Sequence, residues 1–250
     1  MAEIEMVVVY DNYPGKKTLQ TAHGFACVVR AGERAVLFDT GGSGQILLEN
    51  MEKLGLDPAG LEALVLSHSH WDHVGGLNAV LEQNAELTVY MPAVFPRSLI
   101  KDVRQRARSV IPTDRPHEVI PGVRTTDVLD QGIAEQAIYV ETAQGIVVLT
   151  GCAHPGVVQL ARSAKAASGR EVHAVLGGFH MAGASVREID LVIDGLRRLG
   201  AQRVGPCHCS GEKTRQVMRE AFGPAYIEIG VGAPLSFAQA QSQETAHSEN

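Results

Sequence analysis

The chain has 250 residues, 45% of them hydrophobic, and a formal charge of -6 at pH 7. That length is near the upper size of one layered α/β core. The acidic balance argues against broad nucleic-acid binding, and no apolar run approaches the roughly 18 residues needed to span a bilayer. Neither nucleic acid nor membrane is therefore an expected partner, and the sequence sets no oligomeric state.

Glu3 and Glu5 precede an apolar run without a basic leader, so the start reads as a first strand and not as a signal peptide. Short apolar runs at 6–10, 25–30 and 35–39, divided by Gly, Pro and charge, predict strands. Residues 43–54 set Ile46, Leu47, Met51 and Leu54 at helical spacing, with Gly55 placed to stop the helix. A strand is expected at 61–66, a helix starting over 76–82 and a strand at 87–91. Residues 92–116 then carry Arg97, Lys101, Arg104, Arg106, Arg108 and Arg115 against only Asp102 and Asp114. Such a local excess predicts a lid-like insertion that attracts an anionic substrate; a solvated helix face is the competing reading.

The second half repeats the habit. Strands are expected at 123–128, 136–141 and 145–150, a helix near 157–167, a strand at 172–176 and a helix at 187–199. Apolar runs at 203–207 and 226–229 about a helix at 212–221 finish it. Residues 239–250 are polar and expected to be disordered, leaving 1–238 as one domain. Two halves that each pass from strands into strand–helix alternation predict two sheets packed face to face with helices outside, an αββα sandwich. A plain α/β sheet competes with it.

His68, His70, Asp72 and His73 put three imidazoles and a carboxylate into six positions directly after an apolar run. Imidazole and carboxylate suit Zn²⁺, and Fe²⁺ or Mn²⁺ could use them too. In extended backbone, residues i and i+2 face one side, so His68 and His70 can chelate one ion. A following helix would swing Asp72 and His73 to a second position. A solvated loop with stray histidines is the bland alternative, but a buried strand seldom feeds four ligands without a site.

Three further histidines follow apolar, glycine-containing strand ends: His154, His180 and His208. One alone reads as structural; three with the same grammar beside a metal cluster read as ligands or near neighbours. His117 and His247 read as surface or tail residues, His173 as locally bonded, and His23 as a residue able to line the pocket. Cys152 and His154 share the i, i+2 spacing, so Cys152 is a candidate thiolate ligand, with a buried thiol as the competing reading. If the stretch around His208 is extended with its ring toward the metal, Cys207 and Cys209 point away. Only four cysteines occur, and a reducing cytoplasm is the simplest setting.

The segment from His68 to Gly76 resembles the His-x-His-x-Asp-His signature of the metallo-β-lactamase superfamily. Asp39-Thr40-Gly41 is similar to its early Asp-x-Gly element, which supports the site from behind. Asp11-Asn12, His23-Gly24-Phe25, the Thr150 to Gly156 stretch, Gly177 to His180 and Pro206 to Gly211 resemble the subgroup of dihydropterin-ribofuranosyl-aminobenzene phosphate synthases. The resemblance implies an αββα sandwich with one or two zinc ions at a sheet edge and an acidified water as nucleophile. The sequence departs from the usual pattern where a bridging Asp is expected: Gly151-Cys152 stands there, and the preceding His is not evident at 132–136. His154 or His180 can take these roles, with His208 as the last-motif ligand.

The expected function is a metal-dependent hydrolase that acts on a small anionic, phosphorylated substrate through metal-activated water, with Asp72 and His180 as catalytic residues. A synthase that joins a pterin to an aminobenzene ribofuranosyl phosphate by phosphate or pyrophosphate displacement is the alternative. A non-catalytic metal-binding or regulatory module is the alternative of another class.

Overall fold

The computed structural model describes residues 3–240. In chain order its elements are β1 (Glu3–Tyr10), β2 (Ala26–Ala31), β3 (Arg34–Phe38), α1 (Gly44–Lys53), β4 (Ala63–Val65), α2 (Trp71–Val74), α3 (Leu77–Gln83) and β5 (Thr88–Pro92). Next come α4 (Arg97–Arg106), β6 (Ser109–Thr113), β7 (Glu118–Ile120), β8 (Val123–Thr125), β9 (Leu129–Asp130), β10 (Ala134–Glu135), β11 (Ile138–Thr142) and β12 (Gly145–Thr150). The last are α5 (Val157–Ser168), β13 (Val172–Gly178), α6 (Val186–Arg198), β14 (Arg203–Cys207), α7 (Glu212–Phe222) and β15 (Pro234–Ala238).

The strands form a seven-stranded sheet, β15-β1-β2-β3-β4-β5-β6, a six-stranded sheet, β14-β13-β12-β11-β8-β7, and the small ribbon β10-β9. Alternation along each strand makes the layers, because successive side chains point to opposite faces. In β3, Val36 and Phe38 enter a core shared with Val147 and Leu149 of β12. Leu37 between them packs outward with Leu47 and Met51 of α1 and Val80 of α3. In β12, Ile146 and Val148 turn outward to Leu160 of α5 and Ile189 of α6. The result is the expected αββα sandwich. Among the described residues no helix is long and apolar enough to cross a membrane.

Strand direction collects the functional loops. β3, β4, β5 and β6 are mutually parallel, as are β12, β13 and β14. Two antiparallel steps bring β1 into the same direction as β3. The C-terminal ends of β1, β3 and β4 therefore share one edge, the customary place for ligands in parallel sheets.

Several expectations change. Residues 92–116 do not form a separate projection: they build α4 and the edge strand β6, which pairs with β5. Arg106 reaches Asn78 and Glu82, fixing α4 along α3. Residues 226–229 form no ladder strand; Tyr226 makes one isolated bridge to Val204. The strand that does form there, β15, pairs with β1 and lacks an apolar run to announce it. Of the tail expected to be disordered, Gln239 bridges Thr142, and Ala240 N–H donates to the Glu141 carbonyl. Residues 241–250, with His247, lie outside the described residues.

Candidate metal centre

The first donor group is His68, His70 and His154, whose ligand-capable atoms lie within 4.8 Å of one another. The chain leaves β4 still extended, so His68 and His70 fall on one side, their ring centroids 4.7 Å apart. His154 arrives from the β12 end, its centroid 4.6 Å from that of His68. The second group is Asp72, His73, Cys152 and His208. His70 caps α2, and that single turn carries Asp72 and His73 to the neighbouring position. Cys152 Sγ lies 3.3 Å from Nε2 of both His73 and His208, and those two nitrogens are 3.2 Å apart.

Four of the five rings in these two groups are held from behind. Asp39 Oδ2 accepts from His73 Nδ1 and from Ser67 Oγ, both at 2.7 Å, and Ser67 Oγ lies 2.8 Å from His68 Nδ1. Asp39 Oδ1 accepts the Ser67 N–H at 2.7 Å. One buried carboxylate thus orients a ring in each group. His208 Nδ1 lies 3.0 Å from Asn12 Oδ1, and the His208 N–H donates to Asp11. His154 Nδ1 meets Glu135 Oε2 at 2.8 Å. Such partners set the tautomer and leave the other ring nitrogen free to coordinate.

Glu135 has no counterpart in the sequence-based reading. It is fully buried, and its two oxygens accept the backbone N–H groups of Cys152, Ala153 and His154. The adjacent Gln136 turns the other way and donates to the Leu66 carbonyl. Two neighbouring residues therefore tie the 66–68 loop of one sheet to the 152–154 loop of the other. The only signal was a charged residue beside the apolar run at 137–140, which demands a buried partner.

Charge follows from these contacts. Burial pushes the Asp39 carboxyl up to about 7 and the Asp11 carboxyl up to about 6. Burial also pulls the His68 and His73 rings down to about 3, keeping them neutral as metal ligands require. Burial opposes a charge on Glu135 too, but His154 and the backbone donors outweigh it and hold the carboxyl at about 2. His208 is raised: burial works against its charge, and the Asp72 carboxylate prevails.

Among the described residues, four that are not glycine have left-handed backbones, Asp39, Ala153, His180 and His208, and all four are at this edge. Such strain concentrates where a scaffold over-determines a functional geometry. It also corrects the placement of Cys209. Residues 208–210 form a 3-10 turn, so side chains do not alternate, and Cys209 joins Cys152 and His180 in a third donor group. Cys207 is buried in the core between the sheets and belongs to none of the donor groups. Gly151 is required by close approach: a Cβ there would collide with Ser67 Oγ and stand 2.9 Å from Asp39 Oδ2.

His180 is exposed and lines an open pocket of about 740 Å³ with Asn12, Tyr13, His23, His208 and Cys209. His23 Nε2 lies 3.1 Å from Asp72 Oδ2. The basic residues expected to form a lid are not among the residues that line the pocket. Arg97, Lys101, Arg104 and Arg108 are exposed and none lines this pocket. Arg108 directly precedes β6 beside the start of β5, at the opposite sheet edge, because α4 returns the chain there. His173 is partly buried on β13, and His117 lies 6.4 Å, centroid to centroid, from Tyr90.

The donors fit divalent metal. His68 Nε2 is buried with no hydrogen-bond partner, a costly arrangement unless the nitrogen is used. Two adjoining donor sets that could hold metal ions lie at the joined edges of the two sheets of an αββα sandwich. Residues 21–208 match the sequence model of the Metallo-beta-lactamase superfamily, and the chain belongs to that superfamily. It is 24% identical to the 7,8-dihydropterin-6-methyl-4-(beta-D-ribofuranosyl)-aminobenzene-5'-phosphate synthase of Methanocaldococcus jannaschii, over 94% of this chain and 97% of the relative. Among solved structures it is similar to Tm1679, a metal-dependent hydrolase of the beta-lactamase superfamily, with 24% identity, a TM-score of 0.78, and coverage of 93% and 98%. A metallo-beta-lactamase fold protein from Bacillus subtilis follows at 12% identity and TM-score 0.69, with 94% of this chain and 100% of that one covered.

Proposed function

We propose that the chain is a zinc-dependent hydrolase acting on a small anionic, phosphorylated substrate in a reducing cytoplasm. The carrying observation is the buried, unpartnered His68 Nε2 in a group of three imidazoles, next to a second group that contains Asp72 and Cys152. His68, His70 and His154 would hold one ion; Asp72, His73, Cys152 and His208 would hold a second. Bound there, divalent metal supplies Lewis acidity, stabilising negative charge on oxygen and making water more acidic. Asp72 Oδ2, oriented by His23, accepts the proton of the attacking water. His180, raised by its hydrogen bond with Cys209, donates a proton to the leaving oxygen. The four cysteines are all free thiols, in keeping with a reducing compartment.

A second reading has specific support. The full-length similarity to a pterin-related synthase, and a thiol at Cys152 where a bridging carboxylate is usual, favour displacement of phosphate or pyrophosphate. The discriminating experiment is turnover of phosphoesters and of pterin pyrophosphate with an aminobenzene ribofuranosyl phosphate in water enriched in heavy oxygen. Hydrolysis places solvent oxygen in the product; a condensed product without solvent oxygen identifies the synthase. Metal binding with no turnover of either set, and none lost in His73→Ala, would leave a non-catalytic module.

A further inference from the structure

We propose that Trp71 is a stacking platform for a flat heteroaromatic ring of the substrate, so that the site takes a ligand with an anionic end at the donor groups and a planar ring at the rim. This rests on the reading of those groups as a metal centre for small anions. Trp71 is the single tryptophan of the chain and is 63% exposed. It stands between His70 and Asp72, one from each donor group. Leaving an indole in water forgoes the stabilisation that its burial would give.

The exposure is not looseness. A Cβ on Gly42 would stand 2.6 Å from Trp71 Cζ3 and 3.1 Å from Cε3, so the ring rests on the glycine backbone. Gly42 has no left-handed backbone; close approach is what requires glycine there. His23 stands beside the indole, centroids 5.7 Å apart and planes tilted by 34°. His23 in turn touches Asp72 and lines the pocket that holds His180 and His208. An indole fixed beside His23, a residue that lines the pocket, and with most of its own surface free is a preformed partner for offset stacking.

The test titrates the zinc-loaded full chain with two probes: a carboxypterin, flat and anionic, and glycerol phosphate, anionic without a ring. Equilibrium dialysis gives affinities, and the emission of the single tryptophan gives proximity. Carboxypterin is expected to quench that emission saturably. Trp71→Ala should weaken its binding about ten-fold or more, with Trp71→Phe restoring most of it and glycerol phosphate unaffected by either change. Metal-dependent binding of glycerol phosphate together with equal carboxypterin affinity in wild type and Trp71→Ala overturns the platform while the metal reading stands. If neither probe binds the zinc-loaded chain, both fall. Circular dichroism of the variants separates loss of the platform from loss of fold.

Discussion

The two donor groups share an edge but are built differently. His68, His70 and His154 are all imidazoles, and the carboxylates that support His154 directly and His68 through Ser67 stand behind the rings. The second group places a carboxylate and a thiol among the donors themselves, in Asp72 and Cys152. The first is a neutral cradle whose tuning comes from Glu135; the second brings formal charge and sulfur, and with them a softer ligand field. The contrast teaches that one fold edge can hold two cations on different terms, with Asp39 orienting a ring in each.

Breaking the shared support should have the largest effect. Asp39→Asn replaces an acceptor of three hydrogen bonds with an amide that cannot serve them all. Both groups should lose metal affinity, by about 100-fold or more, measured by competition with a chromophoric chelator. Glu135→Gln tells the groups apart: Glu135 meets the His154 ring but only the backbone N–H of Cys152, so affinity should fall most, about 10- to 100-fold, at the three-histidine group, seen as weakening of one of two phases in a calorimetric zinc titration. A smaller change of about ten-fold is expected from Asn12→Ala, confined to the group with His208, which Asn12 orients. Smallest is Arg104→Ala. That residue is exposed on α4 and away from the pocket, so turnover should change less than about two-fold and stability by under about 0.5 kcal/mol, checked by steady-state rates and urea unfolding. A large loss of turnover in Arg104→Ala would restore the lid reading.

The sandwich was legible because its strands are short apolar runs bounded by Gly, Pro and charge, as Ala35 to Phe38 are, and the helices are marked by periodic apolar residues and by stops such as Gly55. β15 was not, since it buries one residue, Phe237, and at the sheet edge needs no apolar run. At the site, His68 to His73 were legible because four donors lie in one short loop. His154, His180 and His208 were visible only through their strand-end grammar, and the structure brings all three to this edge. Cys209 was misplaced because sequence alternation assumes extended backbone, and the left-handed His208 ends it. Glu135 was missed because its partners are backbone N–H groups far along the chain, which leave no residue type to read. The basic segment runs from the C-terminal end of β5 to the start of β6, so its charge spans both sheet edges, a spread that charge density alone does not announce.

The most direct test is a crystal structure of the zinc-loaded chain with anomalous scattering recorded at the zinc edge. Two ions are expected, one about 2.0–2.1 Å from nitrogens of His68, His70 and His154, the other with Cys152 Sγ at about 2.3 Å. A single ion away from both groups, or an unliganded Cys152 thiol beside an occupied second site, would contradict that expectation.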